Sequence, residues 1–417
     1  MAINIEQQAS KYIKPLVPTP ETLRRYKTGF IDELAPPVNV SVVLFFSKRD
    51  QKFVTRLEQS LAKTLTKFYP LAGRYIDESK TIDCNDEGVE FIHAKVNIKL
   101  QDNILVTDQV DVKVVDKLIP IVTGDANPLL AVQATVFECG GVTLGVSVAH
   151  RVFDASSLCT FINEWAVVNK EENGVEFNRP SFNSAELFPG RGFNPVPVPF
   201  ISEEDMSSKY VRKIYSFSES EILKMKAKAA NHRWSRVQLV SGVVWKALIG
   251  VDVANNNPRG SILLQSVSLR EKTTSLIPKD SWGNLWGFCG TGAGPFETTE
   301  ELADRLTANV RNTVNNLSKV DHNTEEGQMI VLNSFSLPDI PQSTNVITLT
   351  SWCKFPFYEA DFGFGKPTWV SPGCVPVVNA SCLMDDAQGN GVEAHVLLEA
   401  KDVAHFEKAL QVASFAA

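Results

Sequence analysis

The sequence predicts a mixed α+β fold in two domains of similar size. Three observations predict it. Helical and strand periodicities both occur in each half of the chain, without the regular alternation of a doubly wound sheet. One proline- and glycine-rich stretch, residues 189–202, interrupts the pattern near the middle. The length of 417 residues gives room for two or three ordinary domains.

The central stretch, PGRGFNPVPVPFIS, holds four prolines and two glycines and can continue neither a helix nor a central strand. It divides the chain into residues 1–188, a linker at 189–208, and residues 209–417. In the first half, Phe53, Leu57, Leu61, Leu65 and Phe68 recur mainly at i, i+4 and predict a helix over about 50–68, stopped by Tyr69-Pro70. Leu129 to Phe137 and Val142 to Val148 predict a hairpin across Gly140-Gly141. A helical pattern follows from Ala155 to Val168. In the second half a strand is expected over 209–217 and a helix over 220–230. Ser235-x-x-Gln238 opens a capped apolar helix to about Gly250, and Thr298-x-x-Glu301 another to about Leu317. Strands are expected at Ile262 to Leu269, Val346 to Trp352 and Gly391 to Leu398, and a closing helix at Val403 to Ala413.

Composition narrows the class. Apolar residues make up 44%, charged residues 21% and aromatics 9%, which excludes wholesale disorder, collagen and coiled coil. The formal charge of −7 argues against a dedicated nucleic-acid binder. Seven scattered cysteines without a C-x-x-C pair suit a reduced compartment, and residues 1–15 show no signal-peptide pattern, so a cytoplasmic protein is expected. The most apolar stretch, Val237 to Val253, is broken by Gln238, Ser241 and Lys246 and predicts a buried helix rather than a membrane span. No Cys and His spacing suggests a metal. P-loop and zinc-protease motifs are absent, and Gly145-Val146-Ser147-Val148-Ala149 lacks the final glycine of a nucleophile elbow.

A base working near neutral pH is most often a histidine. Of the six, His150, His322 and His395 have a carboxylate four residues on: Asp154, Glu326 and Glu399. His322 lies in a polar loop expected to be solvated. His395 lies in a strand, where positions i and i+4 are about 13 Å apart. His150 leaves a buried apolar strand, enters a turn and precedes a helix, which is where a cleft-lining group belongs. On residues alone it is either a catalytic base or a hydrogen-bonded hinge histidine. Asp154 is either its partner or the N-cap of the following helix. The run Asp361-Phe362-Gly363-Phe364-Gly365-Lys366-Pro367 predicts a tight loop with glycines at positive φ and aromatics pinned to the core. The helix start at Ser235, beside His232, Arg233 and Arg236, is either an anion site or a plain capped helix.

Together these segments resemble the BAHD family of plant acyl-CoA-dependent acyltransferases. The family's two hallmarks, H-x-x-x-D and D-F-G-W-G, stand here as His150-Arg151-Val152-Phe153-Asp154 and Asp361-Phe362-Gly363-Phe364-Gly365, in the family's order. Tyr69-Pro70-Leu71-Ala72-Gly73-Arg74, Asp83-Cys84-Asn85-Asp86-Glu87-Gly88-Val89, Phe137-Glu138-Cys139-Gly140-Gly141 and Ser351-Trp352 match as well. The resemblance spans the chain and is closest to the branch of vinorine synthase-like and acylsugar acyltransferases. Phe364 departs from the usual Trp.

The resemblance implies two chloramphenicol-acetyltransferase-like domains joined by a long crossover, with a channel between them. It implies no tightly bound cofactor, acyl-CoA as co-substrate, a small hydroxylated acceptor, no nucleic-acid or membrane partner, and a monomer. His150 would be the general base, and Thr350 and Trp352 donors to the oxyanion. Asp154, paired with Arg270, and Asp361 would shape the site. Ser235, Arg236, Ser351 and Gly363 would meet CoA. Acylation of an amine, a silent metabolite-binding homologue and a thioester hydrolase are the alternatives.

Overall fold

The computed structural model describes residues 3–48, 52–100, 112–120, 128–170, 180–228, 234–336, 341 and 343–414. The chain divides into two compact units that are not contiguous in sequence. The first comprises Met1–Pro197, Lys279–Leu285 and Phe355–Val375; the second comprises Val198–Pro278, Trp286–Lys354 and Pro376–Ala417. The chain passes from one to the other inside the proline-rich stretch. Two segments cross back over the contiguous cut drawn from sequence, and the second of them carries Asp361 to Gly365 into the first unit.

The first unit is built on a six-stranded mixed sheet in the order Ile5–Ile13, Val89–Val96, Leu130–Phe137, Val142–Ala149, Asn39–Phe46, Trp369–Pro372. The hairpin Leu130–Phe137/Val142–Ala149 is antiparallel and turns through Gly140 at φ +85°, a conformation that favours glycine. The last strand is the physical reason that residues 355–375 belong here: it pairs antiparallel with Asn39–Phe46. Helix Phe53–Leu65 buries Phe53, Leu57, Leu61 and Leu65, one i, i+4 stripe, and a 3₁₀ turn at Tyr69–Ala72 follows it. Helix Ala155–Lys170 buries Leu158, Phe161, Ile162 and Trp165. The two helices are stitched through Ser60, whose Oγ accepts from Trp165 Nε1 at 2.9 Å and donates to Asn169 Oδ1 at 2.7 Å.

The second unit carries its own six-stranded mixed sheet, ordered Trp286–Ala293, Ser261–Ser268, Asn345–Ser351, Ala380–Asp385, Val392–Glu399, Tyr210–Phe217. Helix Arg236–Ala254 is long and apolar enough to cross a membrane, yet 67% of its apolar window is buried, among Leu263, Ile347, Leu349 and Val396 of the sheet. Gly242 lets Ala303 of helix Thr299–Leu317 approach, and Gly250 does the same for Ala409 of helix Val403–Ala413. The capping boxes at Ser235 and Thr298 form as their sequences dictate.

Candidate active site

His150 follows the last residue of strand Val142–Ala149, and the turn after it is held from many sides. Its N–H donates to Val38 O at 2.9 Å, and Asn284 Nδ2 donates to its carbonyl at 2.6 Å. Arg151 pairs with Asp77 at 2.7 Å and lies over the Tyr75 ring. Phe153 is fully buried against Trp282. Asp154 caps the helix: Oδ1 accepts from Ser157 N–H at 3.0 Å and Oδ2 from Leu285 N–H at 3.2 Å. Of the two sequence readings of Asp154, the N-cap is formed. Burial pushes the His150 imidazole below its ordinary pKa, while the Asp154 carboxylate and the Asn284 side chain pull it part of the way back. The group is thus neutral, and able to accept a proton, at pH 7.

Residues 282–285 enter this turn from the far half of the sequence. Trp282 packs on Phe68, Phe153 and Phe182. Gly283 takes φ +118° where a Cβ would stand 2.6 Å from that of Ser184, so only glycine fits. Its N–H and carbonyl both bond Ser157 Oγ. Asn284 in turn grips Asp32. Sequence reasoning missed Asp32, Ser184 and Asn284. Each is an isolated polar residue with no periodic or motif signal, and only the fold brings them together.

The loop at Asp361 matches its prediction. Gly363 and Gly365 take φ +88° and +104°. Both donate N–H groups to Asp361 Oδ1, at 2.8 and 3.0 Å, and Lys170 Nζ stands 3.3 Å from Oδ2. Burial pushes the Asp361 carboxyl up, but the two N–H groups and the ammonium outweigh it and hold the acid below its usual range. Asn169 Nδ2 donates to Phe362 O at 2.7 Å, and the Phe362 ring is buried edge-on to Trp165. Asp361 is thus the hub of its own loop.

In the second unit, Thr350 and Ser351 end strand Asn345–Ser351, with Trp352 next. Thr350 Oγ1 lies 3.2 Å from Ser266 Oγ, and Trp352 N–H donates to Leu383 O at 2.8 Å. Ser351 Oγ accepts from Cys353 N–H. Ser235 exchanges capping bonds with Gln238. Arg236 is spent on Asp385 and on the carbonyls of Gly389 and Gly391. His232 and Arg233 lie outside the described residues. His322 is half-buried with Nδ1 2.6 Å from Ser275 Oγ, while residues 323–326 of its loop are exposed, as expected of a solvated loop. His395 is buried in its strand 3.3 Å from Arg212. No metal-binding cluster of His, Cys, Asp or Glu occurs among the described residues.

The Transferase family model matches residues 3–412. This chain belongs to the BAHD acyltransferases. As a member it is an acyl-CoA-dependent acyltransferase. It is 33% identical to a pelargonidin 3-O-(6-caffeoylglucoside) 5-O-(6-O-malonylglucoside) 4'''-malonyltransferase from Salvia splendens, over 99% of this chain and 100% of that one. It is 32% identical to vinorine synthase from Rauvolfia serpentina, over 94% of each chain. The crystal structure of vinorine synthase superposes with a TM-score of 0.85 at 28% identity, covering 98% of both chains. A F. sporotrichioides TRI101 structure complexed with coenzyme A and T-2 shares the fold, with a TM-score of 0.68 at 17% identity over 92% of this acyltransferase and 97% of that chain.

Proposed function

We propose that this acyltransferase moves a short acyl group, such as acetyl, from CoA to a hydroxyl of a plant specialised metabolite, with His150 as general base. One observation carries the proposal: a histidine held neutral by burial, at a strand end, on a turn pinned by remote segments. The relatives' names add that hydroxyl acylation recurs among similar chains, as in stemmadenine O-acetyltransferase of Catharanthus roseus.

In this mechanism His150 takes the acceptor's hydroxyl proton as the oxygen attacks the thioester carbonyl. A C–O bond forms and the carbonyl oxygen becomes an oxyanion, stabilised by hydrogen bonds from Thr350 and Trp352. Collapse breaks the C–S bond, and the thiolate recovers the proton from His150. Acyl ester and free CoA leave. Asp154 and Asp361 act by holding their turns, since both carboxylates are committed to main-chain N–H groups. Ser235, Arg236, Ser351 and Gly363 are proposed contacts for CoA, whose phosphates would draw Arg236 from Asp385.

The test is CoA release by wild type and His150→Ala with acetyl-CoA and longer acyl-CoAs, against benzyl alcohol, sugar esters and alkaloid alcohols. Acceptor-dependent release that vanishes in the variant supports both transfer and base. Unchanged release in the variant defeats the base assignment. Release that ignores the acceptor would favour a thioesterase, and release with amines alone an N-acyltransferase.

A further inference from the structure

We propose that Asp32 is a positioning residue for acyl transfer: its carboxylate anchors Asn284, and Asn284 holds the main chain of His150. The inference rests on His150 being the base. Asp32 Oδ1 accepts from both the backbone N–H and the Nδ2 of Asn284, each at 2.9 Å. The same Nδ2 donates to His150 O at 2.6 Å. One amide group carries both bonds, so an Asn284 that lets go of Asp32 also loosens His150. Asp32 Oδ2 accepts from Gly29 N–H at 2.8 Å and from Ser184 Oγ at 2.9 Å, and Ser184 Oγ lies 3.0 Å from Tyr26 Oη.

The arrangement exceeds what local structure needs. Asp32 sits in the short helix Phe30–Leu34, whose start is served by the Gly29 bond alone. Its other donors come from positions 152 and 252 residues away. Asp32 is 1% exposed, and a buried carboxylate is tolerated only when its lone pairs are filled. Burial pushes its pKa up to about 6, although the bonds from Asn284, Gly29 and Ser184 all pull it down. Tyr26 and Tyr75 are the titratable groups that feel its charge, and Glu33 is its acidic neighbour; His150 is faced by Asp154 and Asn284. The sign follows. Above about pH 6 the carboxylate holds Asn284 by charge; below it the neutral acid lets the network slacken.

The experiment compares full-length wild type, Asp32→Asn, Ser184→Ala and His150→Ala. It measures kcat and KM with acetyl-CoA and the acceptor giving fastest CoA release. It also follows the rate of carbethoxylation of His150 by diethyl pyrocarbonate against pH, by peptide mass spectrometry, a probe that needs no acceptor. His322 and His405 are internal controls. Asp32→Asn should lower kcat about 10–100-fold at nearly constant KM, the effect of a misplacement of about 1 Å. Beyond the inflection of the imidazole's own titration, which both proteins keep, its His150 profile should lose the further one near pH 6 that wild type shows. Ser184→Ala, which removes one bond to the carboxylate, should move that inflection to higher pH and leave kcat at pH 8 intact.

A folded Asp32→Asn with wild-type kcat and an unaltered His150 profile overturns the proposal. If that variant does not fold, Ser184→Ala decides, and an unmoved inflection overturns it. Retained transfer in His150→Ala sinks the base assignment and this inference together. A wild-type-like Asp32→Asn beside an inactive His150→Ala sinks the inference alone.

Discussion

In the first unit, the turn that carries His150 is held by side chains and N–H groups from positions 77, 157 and 284–285, with Asp32 behind Asn284. In the second, Thr350 sits within a hydrogen-bonded ladder, paired through the sheet with Cys382, and Trp352 donates its N–H to the next strand. One group relies on remote side chains as well as its backbone, the other on the backbone of its own sheet. Side-chain bonds break with a point mutation, whereas a ladder survives almost any side chain. Mutations around His150 should therefore act at a distance, and mutations around Thr350 only at the group changed.

The largest expected effect attacks the proposed base. His150→Ala should lower acceptor-dependent CoA release by about 10²–10⁴-fold. As the proposed base, the same group should set the acid limb of wild-type kcat/KM. Its pKa is depressed by burial, so the active neutral form persists as pH falls and is lost only below the ordinary histidine value of about 6.5. An acid limb with its midpoint above that value would contradict the burial argument.

Next in size come two variants that sharpen the contrast. Thr350→Val removes a hydroxyl without touching the ladder. If Thr350 is the proposed oxyanion donor, it should lower kcat by about 10²–10³-fold, the usual result of losing one such donor, with the melting temperature unchanged. Asp154→Ala removes bonds to Ser157 and Leu285. It should lower kcat by up to about 100-fold through displacement of the turn. Unlike Thr350→Val it should also cost about 1–2 kcal/mol of stability, as the loss of an N-cap does. Chemical denaturation of both variants beside their kinetics is the check. Equal stability losses would dissolve the comparison.

The same contrast explains what was legible in the sequence. Elements with strong local signals emerged close to their true limits. Helix Val403–Ala413 carries its own period, and the helices after Ser235 and Thr298 carry their own caps. So did the loop at Asp361, because its chemistry lies within five consecutive residues. The strand Ile5–Ile13 was not legible: it is a polar edge strand, exposed along most of its length. Strand Trp286–Ala293 carries Gly287, Gly290 and Gly292, a composition that argues against a strand until partners are known. Asp32 and Asn284 were invisible for a deeper reason. Their meaning is a contact across 252 positions, and no local pattern encodes it.

The smallest expected effect tests the one departure from the family's second hallmark. Phe364 stands edge-on to Phe46 at 4.9 Å and to Phe53 at 6.4 Å, and it is only half-buried. The loop it pins is already fixed by Asp361, by Lys170 and by the buried ring of Phe362. A tryptophan in its place would keep the edge-to-face contacts and send its extra ring toward solvent, escaping most of the roughly 1–3 kcal/mol that overpacking costs in a closed core. Phe364→Trp should therefore change the unfolding free energy by less than about 1 kcal/mol and leave kcat within about threefold, since a twofold to threefold rate change is only about half a kcal/mol. A loss of tenfold or more would mean that the ring at this position reaches beyond the loop, and the hub formed by Asp361 would not be sufficient to shape it.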